Sequence, residues 1–215
     1  MRVKQFQGAV FDLDGTLLDS MGVWEQIDRD TLGRRGIPVP EDYAQAVALL
    51  GFWQSAEYTI RRFGLPDTPQ QLTEEWHQMA QDAYRFRVEL KPGAREYLSR
   101  LRGQGVPLSV ATSSHRELFL PTLERHGILD WFDAIVTVSE VSRGKGFPDI
   151  YEEAARRMRC LPQECVVFED LPDALRGARD GGFYTVGVFD SYSKDEEMRL
   201  RQMSDRFIYD FRELL

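Results

Sequence analysis

The feature that most restricts the fold is a series of short apolar runs, each followed by a stretch of helical periodicity. The runs are residues 8–12, 107–112, 134–138, 165–170, 184–188 and 206–210. They are too short for helices and lack the in–out alternation of a half-solvated sheet. They therefore read as strands covered on both faces. Helical patterns over 94–101, 117–126, 150–158 and 174–179 lie between them. Strand and helix in alternation predict an α/β fold built on a doubly wound parallel sheet.

The spacing breaks once. About ninety residues separate the first run from the second, where a crossover needs only a dozen or more. The inserted stretch reads as helical. Val23, Trp24, Ile27, Thr31 and Leu32 recur at helical spacing, as do Tyr58, Ile60, Arg61 and Phe63, then Leu72, Trp76, Met79, Ala80 and Ala83. Pro38-Val39-Pro40 and Gly64-Leu65-Pro66 are breaks between helices. Residues 89–93 read as the return linker. The expectation is an α/β core of residues 1–20 and 89–215, carrying a helical domain at 21–88.

Composition narrows the function classes. Of 215 residues, 42% are hydrophobic and 29% charged, an ordinary globular mixture. The net charge of −8 repels phosphate backbones, which argues against a nucleic-acid partner but leaves a small anionic substrate open. Two cysteines, Cys160 and Cys165, are too few for a disulfide framework and lack companions for a zinc site. They read as inert reduced thiols in a cytoplasmic protein. No apolar run approaches the length of a membrane span, and no signal peptide fits the N-terminus. The expected assembly is a monomer or weak dimer.

In open α/β sheets the ligand sits outside the carboxyl ends of the strands. The polar residues at those ends are Asp12 and Asp14; Thr112, Ser113 and Ser114; Lys145; and Glu169 with Asp170. Carboxylates meeting at one edge repel unless neutralised, and one lysine cannot balance them. Mg²⁺ suits carboxylates together with a substrate phosphate, so the set points to metal-assisted phosphoryl chemistry. Each residue also has a plainer reading. Asp12 to Gly15 could form a simple turn, Thr112 and the Glu169–Asp170 pair could cap helices, and Lys145 could be a solvated surface lysine. His77 and His126 lie in helical patterns and read as structural or exposed. His115 beside Ser113 and Ser114 suggests a triad, but those hydroxyls have another explanation.

Phe11-Asp12-Leu13-Asp14-Gly15-Thr16-Leu17 resembles the first motif of the haloacid dehalogenase superfamily. Val110-Ala111-Thr112 resembles the second, Lys145 before Pro148-Asp149 the third, and Val167-Phe168-Glu169-Asp170 the fourth. The order is the family's, and the resemblance covers the whole chain. The nearest branch is the β-phosphoglucomutase-like and phosphoglycolate-phosphatase-like one, whose helical cap follows the first motif. The resemblance implies that Asp12 is the nucleophile and Asp14 the general acid and base. It implies that Mg²⁺ is held by the Asp12 side chain, the Asp14 carbonyl and Asp170, with Glu169 acting through water. Thr112 and Lys145 would bind and neutralise the phosphoryl group, and Thr16 and Ser113 would contact substrate.

Departures from the pattern also inform. Gly146 stands where the branch has proline, which loosens the lysine loop. Ala174 stands where a further acidic residue or glycine is common, so Asp173 is not expected to ligate metal directly. The stretch 50–55 has no arginine for a distal phosphate, and Trp24 stands where mutases carry histidine. Phe52, Trp53 and Gln54 become candidates for selecting the leaving group, or else cap core. The implied activity is a Mg²⁺-dependent phosphatase acting on a small phosphorylated metabolite through an aspartyl-phosphate. The alternatives are a hexose-phosphate phosphomutase and a catalytically silent phospholigand-binding member.

Overall fold

The computed structural model describes residues 6–47 and 52–215. The chain divides into two compact units, Met1–Ser20 with Val88–Leu215, and Met21–Arg87. Leu50 and Gly51, part of the stretch 50–55 that lacks a distal-phosphate arginine, lie outside the described residues.

The larger unit begins with β1 (Gly8–Phe11) and β2 (Leu18–Asp19). The chain then runs through the helical unit, α1 (Met21–Arg34), α2 (Tyr43–Val47), α3 (Phe52–Phe63) and α4 (Pro69–Phe86). It returns through β3 (Glu89–Leu90) and α5 (Ala94–Gly103), then β4 (Leu108–Thr112), α6 (Arg116–Arg125), β5 (Ala134–Thr137) and α7 (Asp149–Met158). It ends with β6 (Cys165–Glu169), α8 (Pro172–Asp180), β7 (Tyr184–Val188), α9 (Glu197–Met203) and β8 (Arg206–Ile208).

Among the described residues six strands form one parallel sheet in the order β5-β4-β1-β6-β7-β8. The expected doubly wound parallel sheet is therefore present. After β1 the chain builds outward through β4 and β5, then crosses back to β6 and builds outward on the other side. That reversal at β1 leaves a crevice at the carboxyl ends of β4, β1 and β6.

Side chains of β1 and β6 alternate between two apolar layers. Val10 and Val167 join Ile150, Tyr151, Ala154 and Phe183 in one core cluster. Phe11 and Phe168, paired in register, stack on the other side at 4.6 Å and pack with Tyr97 and Phe211. This stack sits one residue before Asp12 and Glu169, so the packing sets the two carboxylates side by side. At the β5 edge the Ile135 carbonyl accepts from the guanidinium groups of Arg116 at 3.0 Å and Arg157 at 3.1 Å. Glu140 bridges both arginines.

The two-residue strands β2 and β3 pair antiparallel where the chain leaves and re-enters the larger unit. Residues 89–93, expected as a return linker, include β3, and two residues are too few to show a strand period in the sequence. Helix α9 is not among the helical patterns read from the sequence. In α3 the periodic set Tyr58, Ile60, Arg61 and Phe63 is not the buried face; Ser55, Ala56 and Thr59 are. The Thr59 hydroxyl tolerates burial because it is paired. Thr59 Oγ1 donates to the Ser55 carbonyl at 2.7 Å and bonds the Tyr43 hydroxyl at 2.6 Å. Among the described residues no helix is long and apolar enough to cross a membrane.

Asp28, on α1, is partly buried, and burial reinforced by the charge of Glu25 pushes its carboxyl up to about 6. The folded chain thus holds a proton there that the unfolded chain has released. Its contribution to stability is present below about pH 4 and is lost as pH rises through about 6. Asp28→Asn is expected to raise Tm at pH 7.5, with the gain vanishing toward pH 4. Screened by water at this partly exposed site, the penalty removed is about 1 kcal/mol. Thermal melts of both proteins across pH 4–8 measure this, and a pH-independent difference would contradict it.

Candidate active site

Asp12 is the first residue beyond β1, and its N–H donates to the Phe168 carbonyl at 3.0 Å. The chain then reverses. The Leu13 carbonyl accepts from Thr16 at 3.2 Å and from Leu18 at 2.8 Å, and Gly15 N–H donates to Leu18 at 3.0 Å. Gly15 has φ of 81°, a conformation that side chains resist. The segment from Asp12 to Gly15 is therefore a turn, but one that presents two carboxylates. Asp14 accepts from the Ser20 hydroxyl at 2.6 Å.

Glu169 closes β6 and Asp170 follows it. Neither caps α8, whose N-cap residue is Leu171 and has no side-chain cap. Thr112 closes β4 and accepts from Ser114 N–H at 3.0 Å, while the cap position of α6 falls to His115. Ser113 is exposed beside it. Thr16, expected to contact substrate, is instead fully buried and donates to Asp170 Oδ1 at 3.3 Å. With its hydroxyl directed inward, Thr16 orients a carboxylate.

Lys145 comes from the loop before α7, 133 residues from Asp12. Its ammonium donates to Asp12 and, at 2.7 Å, to Glu169 Oε1. The lysine side chain is 11% exposed and that of Glu169 not at all, which excludes a solvated surface lysine. The Tyr151 hydroxyl donates to the same Glu169 oxygen at 2.9 Å. The loop is held from outside by Gly177 of α8, where a Cβ would fall 2.2 Å from the Lys145 carbonyl oxygen. Gly146 has no such need; a Cβ there meets only the tip of Arg176 at 3.7 Å. The missing proline leaves the lysine anchored.

Asp12, Glu169 and Asp170 offer carboxylate oxygens within 4.8 Å of one another. Ionised together, they exceed the lysine's charge by two. Burial, then the charge of Glu169, pushes Asp12 up to about 7, against the opposing pull of Lys145. Burial and the charges of Asp12 and Glu169 hold Asp170 well above the usual carboxylate range, with Asp190 adding to it. Burial works against the charged form of Lys145, but Asp12 and Glu169 outweigh it and raise its pKa.

Glu169 Oε2 is buried and has no hydrogen-bond partner among the described residues. An unpartnered buried acceptor in an over-negative cluster of hard oxygens fits a small divalent cation and its hydration shell. Asp173 stands apart, exposed and ion-paired with Arg176 at 3.5 Å.

Within the helical unit, Phe52 packs edge-on against Trp24 and Trp76, yet remains 41% exposed. Trp53 is 49% exposed, and its indole N–H donates to Glu57 at 3.0 Å. Gln54 is exposed. Phe52 thus contributes to the aromatic cluster of this unit, and Trp53 does not.

Sequence reasoning missed Tyr151, Ser20 and Gly177. Gly177 left a readable signal, since glycine inside a helical run costs about 1 kcal/mol relative to alanine and asks for a packing reason. Tyr151 and Ser20 left none.

The family described as haloacid dehalogenase-like hydrolase matches residues 6–182. A validoxylamine A 7'-phosphate phosphatase of Streptomyces hygroscopicus subsp. limoneus is 30% identical, with 85% of each chain covered. The fructose-1-phosphate phosphatase YqaB of Escherichia coli is 29% identical over 86% of this chain and 97% of its own. Among solved structures, CbbY from Rhodobacter sphaeroides in complex with phosphate has a TM-score of 0.78 at 22% identity. It covers 97% of this chain and 96% of its own.

Proposed function

The chain belongs to the haloacid dehalogenase-like hydrolases, and from that membership we propose that it is a phosphatase hydrolysing monoesters of small phosphorylated sugars. The two sequence relatives are named as phosphatases of validoxylamine A 7'-phosphate and of fructose-1-phosphate. The observation that carries the reading is Asp12, buried at the carboxyl edge of the sheet, ion-paired with Lys145 and grouped with Glu169 and Asp170.

An Asp12 carboxylate oxygen forms a bond to phosphorus while the bond from phosphorus to the ester oxygen breaks. The departing oxygen takes its proton from Asp14. Water, surrendering a proton to Asp14, then attacks phosphorus of the aspartyl-phosphate, which releases inorganic phosphate and restores Asp12. Lys145 stands against Asp12 and offsets charge as the phosphoryl group transfers. Because Thr112 Oγ1 accepts from Ser114 N–H, its own proton is left to donate to a phosphoryl oxygen, and Ser113 is exposed beside it. Asp12, Asp170 and the Asp14 carbonyl would hold Mg²⁺, with Glu169 behind them, and the ion would supply neutralisation of phosphoryl charge. The exposed side chains of Trp53 and Gln54 are our candidates for contact with the leaving group.

The test uses the purified chain with p-nitrophenyl phosphate and a panel of sugar phosphates. EDTA is expected to abolish phosphate release and Mg²⁺ to restore it. Free sugar and inorganic phosphate in equal amounts, without an isomeric sugar phosphate, separate hydrolysis from mutase chemistry. Mg²⁺ is also expected to raise Tm in the parent and not in Asp170→Asn. Full activity in EDTA, or no phosphate release from any member of the panel, would reject the reading.

A further inference from the structure

A second buried ion pair lies at the same sheet edge, outside the carboxylate cluster. Lys91, the residue after β3, places its ammonium 2.5 Å from Asp190 Oδ2, beyond the end of β7. The lysine side chain is 10% exposed and the aspartate not at all. Both are otherwise engaged. Asp190 Oδ1 accepts from Tyr192 N–H at 2.8 Å, and the Lys91 ammonium lies 3.4 Å from the Phe189 carbonyl.

The backbone of Lys91 leads straight to the turn that carries Asp14. Lys91 N–H donates to the Leu17 carbonyl at 2.8 Å, and its own carbonyl accepts from Ala94 at the start of α5. Leu18 and Asp19 pair with Leu90 and Glu89. Leu18 in turn bridges to Asp14 and accepts from Gly15. Ser20, next along, donates to the Asp14 carboxylate. The segment 14–20 therefore rests on 89–91, and Asp190 fastens 89–91 to the sheet.

We propose that Lys91 and Asp190 are positioning residues for Asp14, holding the turn that aims its carboxyl at the leaving oxygen. The proposal rests on the reading of Asp14 as general acid. A general acid matters most when the leaving group is poor, because a stable leaving anion departs without the proton. Loosening the turn thus penalises poor leaving groups selectively. An ion pair that served only folding would affect all substrates alike.

The experiment measures kcat/KM, which covers phosphoryl transfer to Asp12, for phenyl phosphate and 4-nitrophenyl phosphate. The enzymes are the parent, Asp190→Asn, Lys91→Met, the double variant and Asp14→Asn. Single variants leave one buried charge unmatched and lose stability, whereas the double variant removes both charges and keeps the comparison in a folded protein. The expected result is a fall of about fivefold or more in the phenyl to 4-nitrophenyl ratio for the Lys91 and Asp190 variants, and a larger fall for Asp14→Asn. Variants that keep the parent's ratio while Asp14→Asn loses it would overturn the positioning role alone. A parental ratio in Asp14→Asn would overturn the acid assignment, and the positioning role with it.

Discussion

Replacing Asp12 with asparagine is expected to lower turnover at least about a thousandfold, the scale of losing a nucleophile. The amide keeps the shape and can still accept from Lys145, so the site's outline survives. What disappears is the attacking oxygen anion. Stability should move the other way. Burial and Glu169 push the Asp12 carboxyl up to about 7, so its ionised form weighs on the folded state above that pH. In EDTA at pH 8 the asparagine variant should melt at the parent's temperature or above it. Steady-state assays and thermal melts on one preparation check both halves. Activity within tenfold of the parent would remove Asp12 from the nucleophile's role.

Lys145→Met should be damaging in both respects. Methionine preserves most of the length of the side chain but removes the ammonium that pairs with Asp12 and the fully buried Glu169. Breaking a buried pair in this way costs about 3–5 kcal/mol. Loss of a positive charge aimed at the transferring group should lower kcat by about a hundredfold or more. The Tm deficit should be greatest at pH 8 and smaller at lower pH, because without the opposing pull of Lys145 the Asp12 carboxyl is pushed up further and takes on a proton that removes its buried charge. A variant that melts with the parent at pH 8 in EDTA would show that the carboxylates are neutralised by other means.

These effects concentrate on residues that sequence reasoning could find. Asp12, Thr112, Glu169 and Asp170 end strands of a parallel sheet, and chain topology brings strand ends to one edge whatever the side chains are. Lys145 joins them because β5 lies next to β4 and its loop opens at the same end. Residues that act through packing were not legible. Tyr151 looks like any apolar position on α7 until its hydroxyl meets Glu169. Thr16 reads as a polar residue of the motif until burial turns it toward Asp170. Lys91 and Asp190 are 99 positions apart, and no periodicity links a residue of β3's exit to one beyond β7. On α3, hydrophobicity pointed to the wrong face because paired hydroxyls can be buried as readily as methyl groups.

The arginine clamp at β5 bears on how copies of this chain can meet. An outermost strand ordinarily offers its backbone as a template on which another molecule's strand can add. Here Arg116 and Arg157 already occupy the Ile135 carbonyl in the middle of a four-residue strand, and Glu140 keeps both in place. An incoming strand would have to evict two guanidinium groups and leave Glu140 without its cations. Sheet extension through this flank, the common route from a folded domain to fibre or swapped dimer, is closed off by side chains rather than by another element of structure.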